Sequence, residues 1–134
     1  MPKSSATHYH DALGELVCEA AKHNILPILT SFVTIASPQL AVRAEEDAYL
    51  FDEVYRRFYP LTPAEVARVY EVFNAQSAAV AREYQLHYAD LAMAFPKDPR
   101  LFTIDYVHLS ADGNRSLAKL LAPHVLQTHH FRSN

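Results

Sequence analysis

The stretch Ile25-Leu26-Pro27-Ile28-Leu29-Thr30 is almost continuously apolar, and helical patterns lie on both sides of it. A strand with both faces buried, as in a parallel sheet, needs such a run, whereas a half-exposed strand alternates. The run therefore predicts a buried parallel strand, with Pro27 as its weak point because proline cannot donate to a ladder. Upstream, Leu13, Leu16, Val17, Ala20 and Ala21 recur at helical spacing and predict a helix over Tyr9–His23. Asn24 tolerates the left-handed conformation that ends a helix. Downstream, Ser31–Gln39 reads as a loop. Leu40–Tyr59 reads as a helix packed through Tyr49, Leu50, Val54 and Phe58.

The sharpest start signal follows. Thr62-Pro63-Ala64-Glu65 combines an N-cap threonine, a proline at the first helical position and a glutamate three residues after the cap. Leu61 and Val66 occupy the positions of a hydrophobic staple. Val66, Val69, Tyr70, Phe73, Val80 and Tyr84 mark one face of the helix. Leu86–Leu91 is then a second short strand, ending near Asp90. Phe95–Tyr106 is a loop rich in proline and aspartate. A last helix begins after Ser110, with Leu117, Leu120, Leu121 and Val125 turned inward, and Pro123 is expected to kink or interrupt it. The tail from His129 is expected to be mobile. Helix, strand, helices, strand, helix is the alternation of an α/β layer with parallel strands. Two strands make a very small sheet, so the pattern reads as a helix-rich piece of a larger doubly wound fold. No repeat or interdomain linker divides the 134 residues.

Composition narrows the function. The net charge is -3 and no basic stripe occurs, which argues against a nucleic-acid partner. No apolar run approaches the roughly 20 residues of a membrane span. The opening Met1-Pro2-Lys3-Ser4-Ser5 is polar and does not read as a signal peptide. Cys18 is the sole cysteine, so no internal disulfide forms and a reducing, cytoplasmic location is expected. Cys18 itself reads as a small apolar residue on a helix face. Only Gly14 and Gly113 are glycines, which suits a helix-rich piece better than a complete active site with loops close to substrate.

The stretch Asp105-Tyr106-Val107-His108-Leu109-Ser110-Ala111-Asp112-Gly113-Asn114 brings an acid and an imidazole together just before a helix. Histidine exchanges protons near neutrality. A carboxylate three positions earlier can fold back, hold one ring nitrogen and leave the other as a base toward a hydroxyl nucleophile. The plain structural account makes Asp105 a turn residue, His108 a solvated loop residue and Ser110 an N-cap.

Asp-x-x-His, followed by Leu-Ser-x-x-Gly-Asn and Leu-Ala-x-x-Leu-Ala-Pro, resembles the final block of the SGNH/GDSL-type ester hydrolases. The helix bearing Tyr70–Asn74, the strand ending in Asp90-Leu91 and the earlier Asn24–Thr30 strand resemble what precedes that block. The resemblance implies a partial flavodoxin-like α/β/α sandwich, with the two strands as fourth and fifth in the order 2-1-3-4-5. Residues 1–134 would form the carboxy-terminal part of a single such domain. It also implies hydrolysis of carboxylic esters, with His108 as general base and Asp105 as its orienting acid. The departures concern the other half of the machinery. The chain has no Gly-Asp-Ser-Leu-like nucleophile segment, no separate glycine block and no Gly-x-Asn-Asp-like oxyanion segment. Ser31 and Ser37 lack the nucleophile context, and Asn114 sits in a helix start. Loss of one oxyanion donor alone can cost about 10²–10³ in turnover, so these residues alone are expected to be inactive toward an ester substrate unless an N-terminal half completes the site.

Two other readings compete. His8-x-His10 and His129-His130 are the only close histidine clusters. They lie at opposite ends without cysteine ligands or an obvious carboxylate set, so solvated terminal histidines are expected, with a structural zinc site as the lesser alternative, and no cofactor is expected. A non-catalytic α-helical binding module would use the Val66–Tyr84 stripe as its face. Bare strand edges and apolar helix faces would also favour self-association.

Overall fold

A computed structural model describes residues 4–36, 52, 56–103 and 107–130. Helix α1 spans Ser5–Lys22 and begins earlier than the apolar spacing implies, because the Ser4 hydroxyl accepts the Thr7 N–H and caps it. Its inward face is Gly14 and Val17, with Leu13 half-buried; Leu16, expected to pack, is 63% exposed. Asn24 is left-handed, with φ 56°. Its N–H bonds the Ala21 carbonyl while the Ile25 N–H bonds that of Ala20. This pair of bonds is a Schellman cap.

Helix α2 spans Pro63–Glu83 and opens with the full capping box between Thr62 and Glu65. It closes on a second Schellman cap: Gln85 has φ 56° and the Leu86 N–H bonds the Ala81 carbonyl. Each of the two helices thus hands the chain to a strand through the same turn. Those strands are β1, Leu29–Thr30, and β2, Tyr88–Ala89. They pair in parallel with Leu29 opposite Tyr88 and Thr30 opposite Ala89. Both are shorter than the apolar runs suggest. Ile25 and Leu26 are 60% and 44% exposed, and Pro27 has no N–H to give, so the ladder begins only where the Leu29 N–H reaches the His87 carbonyl.

After β2 come a four-residue helix α3, Leu91–Ala94, a 3-10 turn over Pro99–Leu101, and helix α4, Ala111–His130. Helix α4 runs through Pro123 without the interruption that was one of the two outcomes expected there. Pro123 and Lys119, whose carbonyl loses its partner, are both exposed, so water can satisfy that group. Leu117, Leu120 and Leu121 pack on the core as expected, but Val125 lies past it and is 37% exposed.

Two apolar clusters divide the interior. Val17, Leu29, Val80 and Ala81 join α1, α2 and the start of the sheet. Val33, Ile35, Ala36, Val66, Leu91, Phe95 and Phe102 gather beyond the carboxyl ends of both strands. Residues 33–36, expected as loop, are therefore core, with Ile35 only 1% exposed; burying such a side chain contributes about 2–3 kcal/mol. Along α2, Val66 and Val80 are fully buried, while Val69 and Val72 face out. The described residues make a mostly helical, small α/β arrangement with a two-stranded parallel sheet. The helix expected over Leu40–Tyr59 lies largely outside them; Asp52 and residues 56–58 are helical, and Phe58 packs on the core. No described helix is long and apolar enough to cross a membrane.

Candidate functional site

His108 sits in a narrow hairpin between the 3-10 turn and α4. Phe102 and Leu109 form an isolated antiparallel bridge. The Thr103 N–H reaches the His108 carbonyl at 2.8 Å and the Ser110 N–H reaches that of Leu101 at 2.8 Å. Val107 and Leu109, on either side of His108, pack on the cluster beyond the strand ends, while His108 itself is exposed. The hairpin is thus anchored at the carboxyl end of the parallel strands, where open α/β sheets take their ligands. Asp105, expected to orient His108, lies outside the described residues, as does Ser37.

The residues after His108 have structural employment. The Ser110 hydroxyl accepts the Gly113 N–H at 3.1 Å and donates to the Arg100 carbonyl at 3.0 Å, so it caps α4 and ties it to the 3-10 turn. The Asn114 amide donates to the carbonyls of Leu109 and Ser110, at 3.3 and 3.2 Å. Gly113 lies so close to the chain that a Cβ there would stand 2.0 Å from the Leu101 carbonyl oxygen.

A polar tie joins the ends of the two strands. Ser31 is 3% exposed; its hydroxyl donates to Asp90 Oδ1 at 2.9 Å and accepts the Ala92 N–H at 2.7 Å. The same Asp90 oxygen caps α3 through the Met93 N–H. A buried hydroxyl committed in both directions holds the sheet together and is poorly placed to attack a substrate. One residue on, the Asn74 amide accepts the Phe32 N–H at 2.7 Å and donates to the Phe32 carbonyl at 3.3 Å, occupying this stretch of backbone much as a neighbouring strand would.

Between α2 and these strand ends lies a cleft of about 500 Å³, lined by Phe32, Tyr70, Asn74, Ala78, Asp90 and Lys97 among others. Phe32 stacks on Tyr70 with ring centroids 5.3 Å apart. Lys97 donates to the Thr34 carbonyl, and burial holds its amine below the usual lysine range. His108 is not among the lining residues.

Of the histidines weighed for metal binding, His10 has its Nε2 3.4 Å from a Glu83 carboxylate oxygen, and the side chains of His129 and His130 are not described. The pairing that sequence reasoning missed is His87 with His124, whose ring nitrogens meet at 2.7 Å across 37 residues. No local signal marks it. The Ser31–Asp90 tie was equally hidden, although Asp90 was legible as a strand end. Comparison with protein-family models, curated proteins and solved structures gave no match to this chain.

Proposed function

We propose that this chain is the carboxy-terminal part of an SGNH/GDSL-type ester hydrolase, with His108 as general base and Asp105 as the acid that orients it. In this reading β1 and β2 are the fourth and fifth strands of a flavodoxin-like sandwich. The observation that carries it is the order of parts: helix, parallel strand, helix, parallel strand, then a histidine hairpin seated beyond the strand ends and closed by a serine-capped helix. The nucleophilic serine and the oxyanion donors come from chain beyond these 134 residues. The commitments of Ser31 and Ser110 favour that assignment over a rearranged complete site.

The test has two arms. The chain alone is expected to show no stoichiometric labelling by a serine-directed fluorophosphonate. Coding DNA upstream of Met1 is read in every frame for a nucleophile segment, and the encoded piece is mixed with this chain. Turnover of short-chain aryl esters is then expected to appear. His108→Ala should abolish it, and Asp105→Asn should lower it by up to about 10⁴ through the wrong tautomer. Labelling of Ser31 or Ser110 in the lone chain, or full activity of the mixture with His108→Ala, would overturn the proposal.

A second reading, a non-catalytic binding module, is favoured by the cleft beside α2. Its polar groups on Asn74, Asp90 and Lys97 already serve the fold, which leaves a shaped surface with an aromatic wall and few groups free for chemistry. Binding of small aromatic ligands that is lost with Tyr70→Ala and unaffected by His108→Ala would support this reading.

A further inference from the structure

We propose that the cleft between α2 and the strand ends binds a small organic cation, an ammonium group carried on an aromatic body. Binding there presupposes the second reading of this cleft and is independent of the hydrolase assignment. The volume of about 500 Å³ falls within the range of small-ligand sites, about 300–1,000 Å³. One wall is a single face of α2, where Ala67, Tyr70, Glu71, Asn74, Ala75 and Ala78 recur at helical spacing and the three alanines leave the width. Phe32 stacks on Tyr70 with planes 8° apart and centroids 5.3 Å apart, an offset that leaves part of each ring face uncovered. The Tyr88 hydroxyl is spent on the Asn74 carbonyl at 3.3 Å, so its ring is what remains for a ligand. Phe32 is 50% exposed and Met93, which also lines the cleft, is 86% exposed. Apolar surface gathered in this way around a concavity is what a bound ligand would cover.

Charge selects the occupant. The lining carries two carboxyl groups, on Glu71 and Asp90, against one amine, on Lys97. Lys97 donates to the Thr34 carbonyl, and burial works against its charge. The Asn74 amide likewise donates to the Phe32 carbonyl. The acceptors are less committed. Asp90 Oδ1 receives the Ser31 hydroxyl and the Met93 N–H, but Oδ2 makes no hydrogen bond among the described residues. Glu71 is exposed and makes neither a hydrogen bond nor an ion pair among them. Aromatic ring faces are themselves negative and attract a cation. An anion would meet two carboxylates and three such rings, and a neutral aromatic would gain the rings alone. An ammonium group gains from both.

The test uses the full chain, labelled with ¹⁵N and titrated separately with benzyltrimethylammonium, benzyl alcohol and benzoate at neutral pH. The first probe keeps its charge at every pH and has no N–H, so it reads charge and ring faces alone. Its shift changes are expected at the amides of residues 32–34, 70–75 and 88–93, with affinity on the order of tenfold above that of the alcohol. Benzoate should bind most weakly, and added salt should weaken only the cation. Glu71→Gln should lower the cation's affinity about threefold, and Lys97→Met, which removes the opposing charge, should raise it. Equal binding of the cation and the alcohol, tighter binding of benzoate, or a cation affinity that neither variant moves would overturn the cation assignment while leaving an aromatic site. Failure of all three probes at these residues would overturn the binding reading of the cleft as well. The mapping on the parent chain needs no variant to fold.

Discussion

Gly113→Ala is the substitution whose consequence the geometry fixes most tightly. The new Cβ would lie 2.0 Å from the Leu101 carbonyl oxygen, 3.0 Å from its carbon and 3.1 Å from Leu109 Cβ. Ordinary contact is about 3.5 Å, and the obstacle is main chain, so the 100–102 backbone must retreat by on the order of 1 Å. That movement breaks the Ser110 N–H bond to Leu101 and loosens the bridge that frames the His108 hairpin. A lost hydrogen bond costs about 1 kcal/mol. Overpacking adds about 1–3 kcal/mol, and alanine's better helix propensity returns up to about 1 kcal/mol. The expected net loss is about 2 kcal/mol, or roughly 5–10 °C in melting temperature for a domain of this size. Thermal melting by circular dichroism measures it, and amide exchange at Thr103 and Ser110 should accelerate beyond the global change. A variant as stable as the parent, or more stable, would show that helix propensity outweighs the contact and that the 3-10 turn does not press on α4.

Ser31→Ala removes the tie between the strand ends and leaves the Ala92 N–H without its acceptor, while Asp90 Oδ1 keeps the Met93 N–H; urea unfolding should show a loss of about 1–3 kcal/mol, and a change within about 0.5 kcal/mol would contradict the role given to it. Thr62→Ala should cost about 1 kcal/mol as a lost N-cap. Hydrogen bonds from the Thr62 backbone and side chain hold the Glu65 carboxyl below its usual range, so that contribution is present at neutral pH and is lost as pH falls through the depressed value; it should shrink in the acid limb of Thr62→Ala, which removes the side-chain bond and keeps the backbone one. Lys97 gives a slope of the same sign at the alkaline end for a different reason: burial depresses its amine, so the native state binds fewer protons than the unfolded chain between the lowered value and the free-lysine range, and stability should rise with pH there. Lys97→Met should remove that slope, and an unchanged alkaline profile would refute the assignment.

The parts legible in the sequence are those fixed by neighbours in the chain. The Thr62–Glu65 box, the left-handed Asn24 and the Ser110 cap each depend on bonds within a few residues. The loop-to-helix setting of His108 was legible for the same reason. What escaped depends on distant partners. The strands are only two residues long because the Ser31–Asp90 tie, spanning 59 residues, takes over where the ladder stops. Ile35 is buried in a stretch without regular structure because Leu91, Phe95 and Phe102 enclose it, and periodicity carries no trace of that. Gln85 adopts the left-handed turn usually given to glycine or asparagine, so the second Schellman cap had no compositional mark. Leu16 kept the helical spacing of a core residue while pointing away from the face that α2 covers.

The central claim is that Asp105 fixes His108 as a base. It is tested most directly by the imidazole tautomer of His108, read from long-range ¹H–¹⁵N correlations of the full chain above the histidine titration range and repeated in Asp105→Asn. The account predicts a proton on Nδ1 and a bare Nε2 in the parent, with that preference lost in the variant. A proton on Nε2 in the parent, or a tautomer indifferent to Asp105→Asn, would contradict it.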